Sequence, residues 1–403
     1  MIPDAIRSRV LAGAGRDAEL ARLRALLDRL ATRPPASPRP ALPLTPVETP
    51  HGVAWRRSED VSPPPALARV MEATTAPGTV FLDTETTGLA GGTGTYVFLV
   101  GLATWTGTGL RVTQYFLGDL GAEAAFLAAV REAVRDAGLL VTYNGRTFDL
   151  PLLETRYLLA RAPWWGEALP HRDLYPLARA LWRARVADCR LATLEAALLG
   201  LDRGDDLPGS EMPRLYFRYL RTQDRRVLPR IFTHNRWDLL ALAALAARAD
   251  DLLGGPDPRH DPVEWLAAAR WLERREPGRS TRFYEAALDA TLPAPLRMRA
   301  AWRLGRLWRR AGRTPEALRL WTEVLTDPDA APVGLLVDLA KLEEHHARDL
   351  RAALRLARLG LARAEQDGGD EGRPLLAEAL AHRVHRLERR VARSRVLGGP
   401  NLR

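Results

Sequence analysis

Residues 81–89, FLDTETTGL, constrain the fold of this chain more than any other stretch. Thr79, Val80, Phe81 and Leu82 predict a short buried strand, and Gly88 ends it. Side chains alternate faces along a strand, so Asp83 and Glu85 point the same way. Two carboxylates side by side at a strand end repel each other. The pair becomes tolerable when a divalent cation with a preference for hard oxygen ligands, magnesium or manganese, sits between them. A plainer reading puts both acids in a solvated strand-to-turn junction, and Asp-x-Glu alone does not separate the two. The rest of the chain has to decide.

A Gly-rich turn, GLAGGTGT, follows, and then two strand-like runs, YVFLVGLATW and LRVTQYFLG. The turn lacks the Lys-Ser/Thr of a P-loop and leads into a strand, which excludes that phosphate cradle. Residues 122–137 predict a helix, LLVTYN a returning strand, and helical patterns dominate residues 150–253. Strand, strand, strand, helix, strand predicts an α/β domain with a mixed central sheet flanked by helices. Upstream, Leu20, Leu23, Leu27 and Leu30 predict an amphipathic N-terminal helix within residues 1–32. The Pro-rich residues 33–50 read as an extended linker. A strand over residues 52–57 and a helix near 66–73 lead into the organising strand.

GGPDPRHDP, residues 254–262, marks a boundary between a domain at 51–253 and a second at 263–403. The second is helical throughout and repeats. Trp271, Tyr284 and Ala287 recur as Trp308, Trp321 and Val324, a period of about 37 residues that matches helix–turn–helix repeats. Leu304, Gly305, Trp308, Ala317 and Trp321 stand where a tetratricopeptide repeat packs, and Leu339, Ala340, Ala352 and Leu356 form a degenerate third unit. Stacked helix pairs present a surface suited to a protein partner. The basic segment RPLLAEALAHRVHRLERRVARSR reads as a solvated capping helix or a nucleic-acid arm.

The net charge of +10 favours a polyanionic partner. That signal is weakened because Lys341 is the only lysine, and an arginine bias of this kind also follows from base composition. Cys189 is the only cysteine, which excludes internal disulfides and thiolate metal clusters. Charges interrupt every long apolar run, so neither a membrane span nor a secretory leader is expected, and the expected compartment is cytoplasmic.

Three further elements bear on Asp83 and Glu85. In NGRTFDLPLLETR, Asp149 opens a helix, where it either simply caps or contributes a carboxylate. In HNRWDLLALAALAAR, His234 and Asp238 are four apart and share a helix face. Asp173 before HRDLYPLARALW's helix is either an N-cap or a supporting acid. Arg156 and Arg161 are phosphate ligands or solvated, Trp164 and Trp165 pack or stack on bases, and Cys189 reads as a buried small hydrophobe.

In this combination the chain resembles a DEDD-type 3′–5′ exonuclease of the ribonuclease-H-like superfamily. Asp83 and Glu85 with TTGL match the first motif, Asn144, Phe148 and Asp149 the second, and His234 with Asp238 the third. LPGSEMPRLYFRYL followed by HNRWDLLAL is similar to the bacterial YprB-like family, which joins such a domain to tetratricopeptide repeats. The resemblance implies two Mg2+ or Mn2+ ions. Asp83 would bridge them, Glu85 and Asp238 would complete one and Asp149 the other, and His234 would position or deprotonate the attacking water. It implies a nucleic-acid substrate with a single-stranded 3′ end. Thr84, Thr86, Gly88 and Leu89, with Asn144 and Phe148, would face that substrate; Asn144 alternatively satisfies a strand end. One departure stands out: three residues separate His234 from Asp238, which is the spacing of the branch that uses tyrosine. The competing function is a non-catalytic nucleic-acid-binding scaffold whose repeats recruit a partner.

Overall fold

The computed structural model describes residues 44–88, 92–201, 203–325, 327–328, 331–366 and 373–397. The predicted N-terminal helix and most of the Pro-rich linker lie outside the described residues, as does Leu89. The chain divides into two compact units after Asp251.

In the first unit seven strands form one mixed sheet: β1 (Thr45–Thr49), β2 (Gly52–Val61), β3 (Thr79–Thr86), β4 (Val97–Trp105), β5 (Leu110–Phe116), β6 (Leu139–Thr142) and β7 (His171–Asp173). Their order is β1-β2-β5-β4-β3-β6-β7. β6 runs parallel to both β3 and β7, and the other neighbours are antiparallel. Parallel neighbours need long crossovers. The one from β3 contains α2 (Glu123–Ala133), and the one from β6 contains α3 (Asp149–Leu159). α1 (Pro65–Thr74) precedes β3, and α4 (Leu174–Trp182), α5 (Met212–Thr222) and α6 (Leu228–Gly254) follow the crossovers. β3 has neighbours on both sides and is buried along nearly its whole length, which is why Val80, Phe81 and Leu82 are apolar without alternation and why the acids that follow them are withdrawn from water.

Two strands depart from the sequence expectation. The end of the Pro-rich linker is not extended spacer: residues 45–49 pair with β2 as an edge strand. Pro46 is tolerated there because an edge strand leaves half its backbone donors unpaired in any case. β7, inside the stretch expected to be helical, is only three residues long and too short to show a period. Its last residue, Asp173, caps α4 by accepting from the Tyr175 N–H at 3.0 Å.

The second unit contains α7 (Pro262–Leu272), α8 (Pro277–Asp289), α9 (Ala294–Arg310), α10 (Thr314–Val324), α11 (Val333–Leu342), α12 (Leu350–Gln366) and α13 (Arg373–Leu397). Of the positions expected to repeat, Leu304, Ala317, Trp321, Val324, Tyr284 and Ala287 are buried, whereas Trp271 and Trp308 are half-buried. Gly305 is required there, since a Cβ would overlap the Trp321 indole, whose Nε1 donates to the Ala301 carbonyl at 2.9 Å. In the degenerate third unit the buried stripe of α12 is Ala353, Ala357, Gly360 and Ala364, small residues that let α12 approach its neighbours closely. No described helix is long and apolar enough to cross a membrane.

Candidate metal centre

Asp83 and Glu85 end β3, Asp149 is the first residue of α3, and His234 and Asp238 lie one turn apart on α6. Glu85, Asp149 and His234 are buried, while Asp83 and Asp238 are partly exposed. A row across the sheet explains how α6 reaches β3. Asp83 pairs with Gly101, and Gly101 pairs with Gln114, so the three share one face. Gly101 has no side chain to offer, and the Asn235 amide occupies that gap; a Cβ on Gly101 would overlap it. Asn235 Nδ2 donates to Asp83 Oδ2 at 2.8 Å, and Gln114 Nε2 donates to Asn235 Oδ1 at 2.8 Å and to the Phe232 carbonyl at 2.8 Å. A neutral amide chain therefore ties α6 to β3 and aims the Asp83 carboxylate.

On the other side, Thr84 Oγ1 donates to Asp149 Oδ1 at 2.5 Å, joining β3 to the start of α3. The turn before α3 is held by Asp173, whose carboxylate accepts from the Asn144 N–H at 2.8 Å and the Arg146 N–H at 3.1 Å. Asn144 sits at φ 63°, a left-handed position that Asn tolerates, and its Oδ1 accepts from Thr147 Oγ1 at 2.8 Å.

These acids carry an electrostatic load. Burial pushes the Asp83 carboxyl well above the usual range, and Asp238 and Asp149 push it further against the opposing effects of Asn235 and Arg203. Glu85 is also raised well above its ordinary value, by burial first and then by Asp83, Asp238, Asp149 and Asp206. Burial raises Asp149 to about 6, although the Thr84 hydroxyl resists the shift. The four acids named from sequence thus act on one another in a single cluster.

Four side chains that the sequence did not single out complete it, besides Gln114. Arg203 lies between Glu195 Oε2 at 2.6 Å, Asp238 Oδ1 at 2.6 Å and Asp206 Oδ2 at 3.3 Å. His234 Nδ1 is 2.7 Å from Asp206 Oδ2, and its Nε2 is 3.3 Å from Asp238 Oδ2. Glu195 opens a π-turn, Glu195–Leu199, that ends at left-handed Gly200 and turns the chain toward Arg203 and Asp206. Asn235 is the fourth. Only Gly101, alone in an apolar strand run, signalled such a close approach in advance.

Arg156 is neither solvated nor available to phosphate: it forms a buried bidentate pair with Glu123, at 2.6 Å for each bond, and lies 3.8 Å over the Tyr96 ring. Trp164 and Trp165 pack on Tyr157. Cys189 is half-buried, and its carbonyl accepts from Tyr143 Oη at 2.5 Å. Thr86 Oγ1 donates to the Gly88 carbonyl at 2.9 Å, so it shapes the turn after β3. Phe148 is the half-buried residue just before α3.

The donors suit a cation. Among the described residues, Glu85, His234 and Asp238 each offer a ligand atom within 4.8 Å of the others. Buried carboxylates that raise one another's pKa are stabilised in their ionised form by a divalent ion.

Comparison with known proteins gives this arrangement its context. Residues 80–249 match the RNase_H superfamily. The YprB protein of Bacillus subtilis (strain 168) is 31% identical over 318 residues, which cover 77% of this chain and 74% of that protein. The family B DNA polymerase from the hyperthermophilic archaeon Pyrobaculum calidifontis aligns over 65% of this chain and 34% of its own length, at 15% identity and a TM-score of 0.36. That last likeness is too slight to support any step below. The mixed seven-stranded sheet is an RNase H-like, nuclease-type fold, followed by an all-helical region.

Proposed function

The chain belongs to the YprB-like family and carries an RNase_H-superfamily domain, and on that premise we propose that it is a metal-dependent nuclease, a DEDD-type 3′–5′ exonuclease acting on single-stranded ends. The observation that carries this reading is the meeting of Asp83, Glu85, Asp149 and Asp238 from a strand end, a helix start and a second helix. Two Mg2+ or Mn2+ ions bound by these acids would supply Lewis-acid charge opposite a phosphodiester and favour ionisation of a water.

The protein's own part is positioning. Asp83, which Asp238 and Asp149 both act upon, would be the shared carboxylate. Glu85 and Asp238 would hold one ion and Asp149 the other, with Thr84 orienting Asp149 and Asn235 orienting Asp83. Thr86, Gly88 and Leu89 would meet the terminal nucleotide, and Asn144 and Phe148 would contact the substrate as well. The helical unit, which we read as tetratricopeptide-like, would recruit a protein partner, and the enzyme would act in the cytoplasm.

The test is manganese-dependent release of mononucleotides from an end-labelled single-stranded oligonucleotide, with Asp83→Ala as control. Cleavage that survives the substitution would remove the acid cluster from the chemistry. Release of longer fragments instead would keep the nuclease and reject the exonuclease.

A further inference from the structure

The place of His234 is the anomaly that the acid cluster leaves over. Its spacing from Asp238 fits a tyrosine, and its ring is not free to turn toward a water. Nδ1 is held at 2.7 Å by Asp206, whose same oxygen also faces Arg203. A carboxylate oxygen accepts, so Nδ1 is the nitrogen placed to donate, and in the neutral imidazole with that tautomer Nε2 carries the lone pair. Nε2 lies 3.3 Å from Asp238 Oδ2, and a His234 ring nitrogen lies within 4.8 Å of a Glu85 oxygen.

We propose that His234 is itself a ligand of the divalent cation, coordinating through Nε2 beside Glu85 and Asp238 Oδ2, with Asp206 as the positioning residue that fixes its ring. This rests on the reading that the acid cluster binds such ions. Three features of this chain support it. First, neighbouring ligands on an ion with bonds of about 2.1 Å stand about 3 Å apart, close to the Nε2–Oδ2 separation already present. Second, an imidazole that ligates through one nitrogen commonly gives its other N–H to a carboxylate, which sets the tautomer and strengthens the donor. Third, Arg203 reserves the other oxygen of Asp238: anchored on buried Glu195, it binds Oδ1 and leaves Oδ2 to the ion. Gly209 lies against Nε2, where a Cβ would come within 3.2 Å and crowd a bound ion. A nitrogen ligand shifts the preference away from Mg2+ and toward metals that accept imidazole. On this assignment the attacking water is not deprotonated by His234.

The experiment loads the full chain with one equivalent of Mn2+, without nucleic acid, and records pulsed electron paramagnetic resonance. Nitrogen modulation of the bound Mn2+ is expected in the wild type, and it should change to the 15N pattern when the chain carries 15N-histidine, a test that needs no substitution. His234→Gln should abolish the modulation while Mn2+ still binds. Asp206→Asn should keep it but weaken Mn2+ binding by about 10–100-fold. Bound Mn2+ without nitrogen modulation, or with modulation that survives His234→Gln, overturns the assignment and leaves the nuclease reading intact. Failure of Mn2+ to bind at all overturns both.

Discussion

Glu344 in the helical unit and the acids at the end of β3 are both withdrawn from water, with opposite electrostatic results. Glu344 sits in the π-turn Glu343–Ala347 after α11 and is almost fully buried. It is met by Arg383 at 2.6 Å, by Arg386 at 2.5 and 2.8 Å, and by Arg390, all from α13. Burial pushes its carboxyl up, but these arginines, led by Arg386, draw it below its ordinary value. At the β3 end, Glu85 and Asp149 are as buried, and their neighbours are further acids. One carboxylate was folded in with its cations. The other group was folded in without enough of them, since Arg203 bonds only Asp238, Asp206 and Glu195. The contrast separates a structural acid from one that awaits a ligand, a distinction burial alone does not draw.

The sharpest way to break this contrast is to exchange the consequences of losing an acid. Asp83→Asn should lower metal-dependent cleavage by about 10²–10³-fold, the scale seen when a group that stabilises transition-state charge is removed, while the metal-free protein stays as stable as the wild type or becomes more so. Steady-state kinetics and thermal unfolding in a chelator check the two halves. Glu344→Ala should do the reverse. It leaves three guanidinium groups facing a vacated site and should cost about 2–3 kcal/mol, less than a fully buried pair because Arg386 and Arg390 are partly exposed. Denaturant midpoints should fall while cleavage per folded molecule holds. Equal losses of activity from both variants would erase the distinction.

The two sites should also answer to pH with opposite signs. The Asp149 carboxyl rises on folding from its ordinary 3.8 to about 6. Between those values the folded protein keeps a proton that the unfolded chain has lost, so stability falls as pH rises through the window, by on the order of 2–3 kcal/mol. The Glu344 carboxyl is lowered on folding, so its contribution is present above the ordinary value of 4.5 and fades as pH falls through its folded value. Unfolding curves of metal-free wild type, Asp149→Asn and Glu344→Gln between pH 3 and 7 would isolate each slope by difference. Excess Mn2+ should cancel the Asp149 slope and leave the Glu344 slope untouched.

How far this was legible in the sequence depends on whether the signal was local. Asp83, Glu85 and Asp149 each sit in a short motif at an element boundary, Asp238 shares a face of α6 with His234, and the strand and helix periods around them are strong. The sheet's outer strands were less visible, because Pro46 masked β1 and three residues cannot show β7's alternation. The supporting residues were not visible at all. Gln114 meets Asn235 across 121 positions, and Asn235 meets Asp83 across 152, contacts that no spacing rule contains. Arg203 and Asp206 lie in a loop with no periodicity, and arginine is too common here for any single one to draw notice. Asp83 and Glu344, as carboxylates in a sequence, look alike; what distinguishes them is the company each keeps in space.

Asn235 offers the smallest and most selective test, because it compensates Asp83 without charge. Its Nδ2 is 2.8 Å from Asp83 Oδ2, and its Oδ1 accepts from Gln114. Asn235→Ala removes an aiming bond and leaves the charge of the cluster unaltered. The expected result is about tenfold weaker Mn2+ binding, as for other partners that orient a ligand, with metal-free stability lowered by about 1–3 kcal/mol because a buried amide bonded to Asp83 and Gln114 is lost. Asn235→Asp distinguishes aiming from charge. It has similar size but cannot donate to Asp83 when ionised, and it adds a carboxylate beside one already raised by its neighbours. If charge deficit is what the site lacks, this variant should demand metal more strongly for stability than the wild type, visible as a larger Mn2+-induced rise in unfolding temperature. If both variants match the wild type in Mn2+ affinity, the amide row across Gly101 is packing alone and Asp83 is aimed by something else.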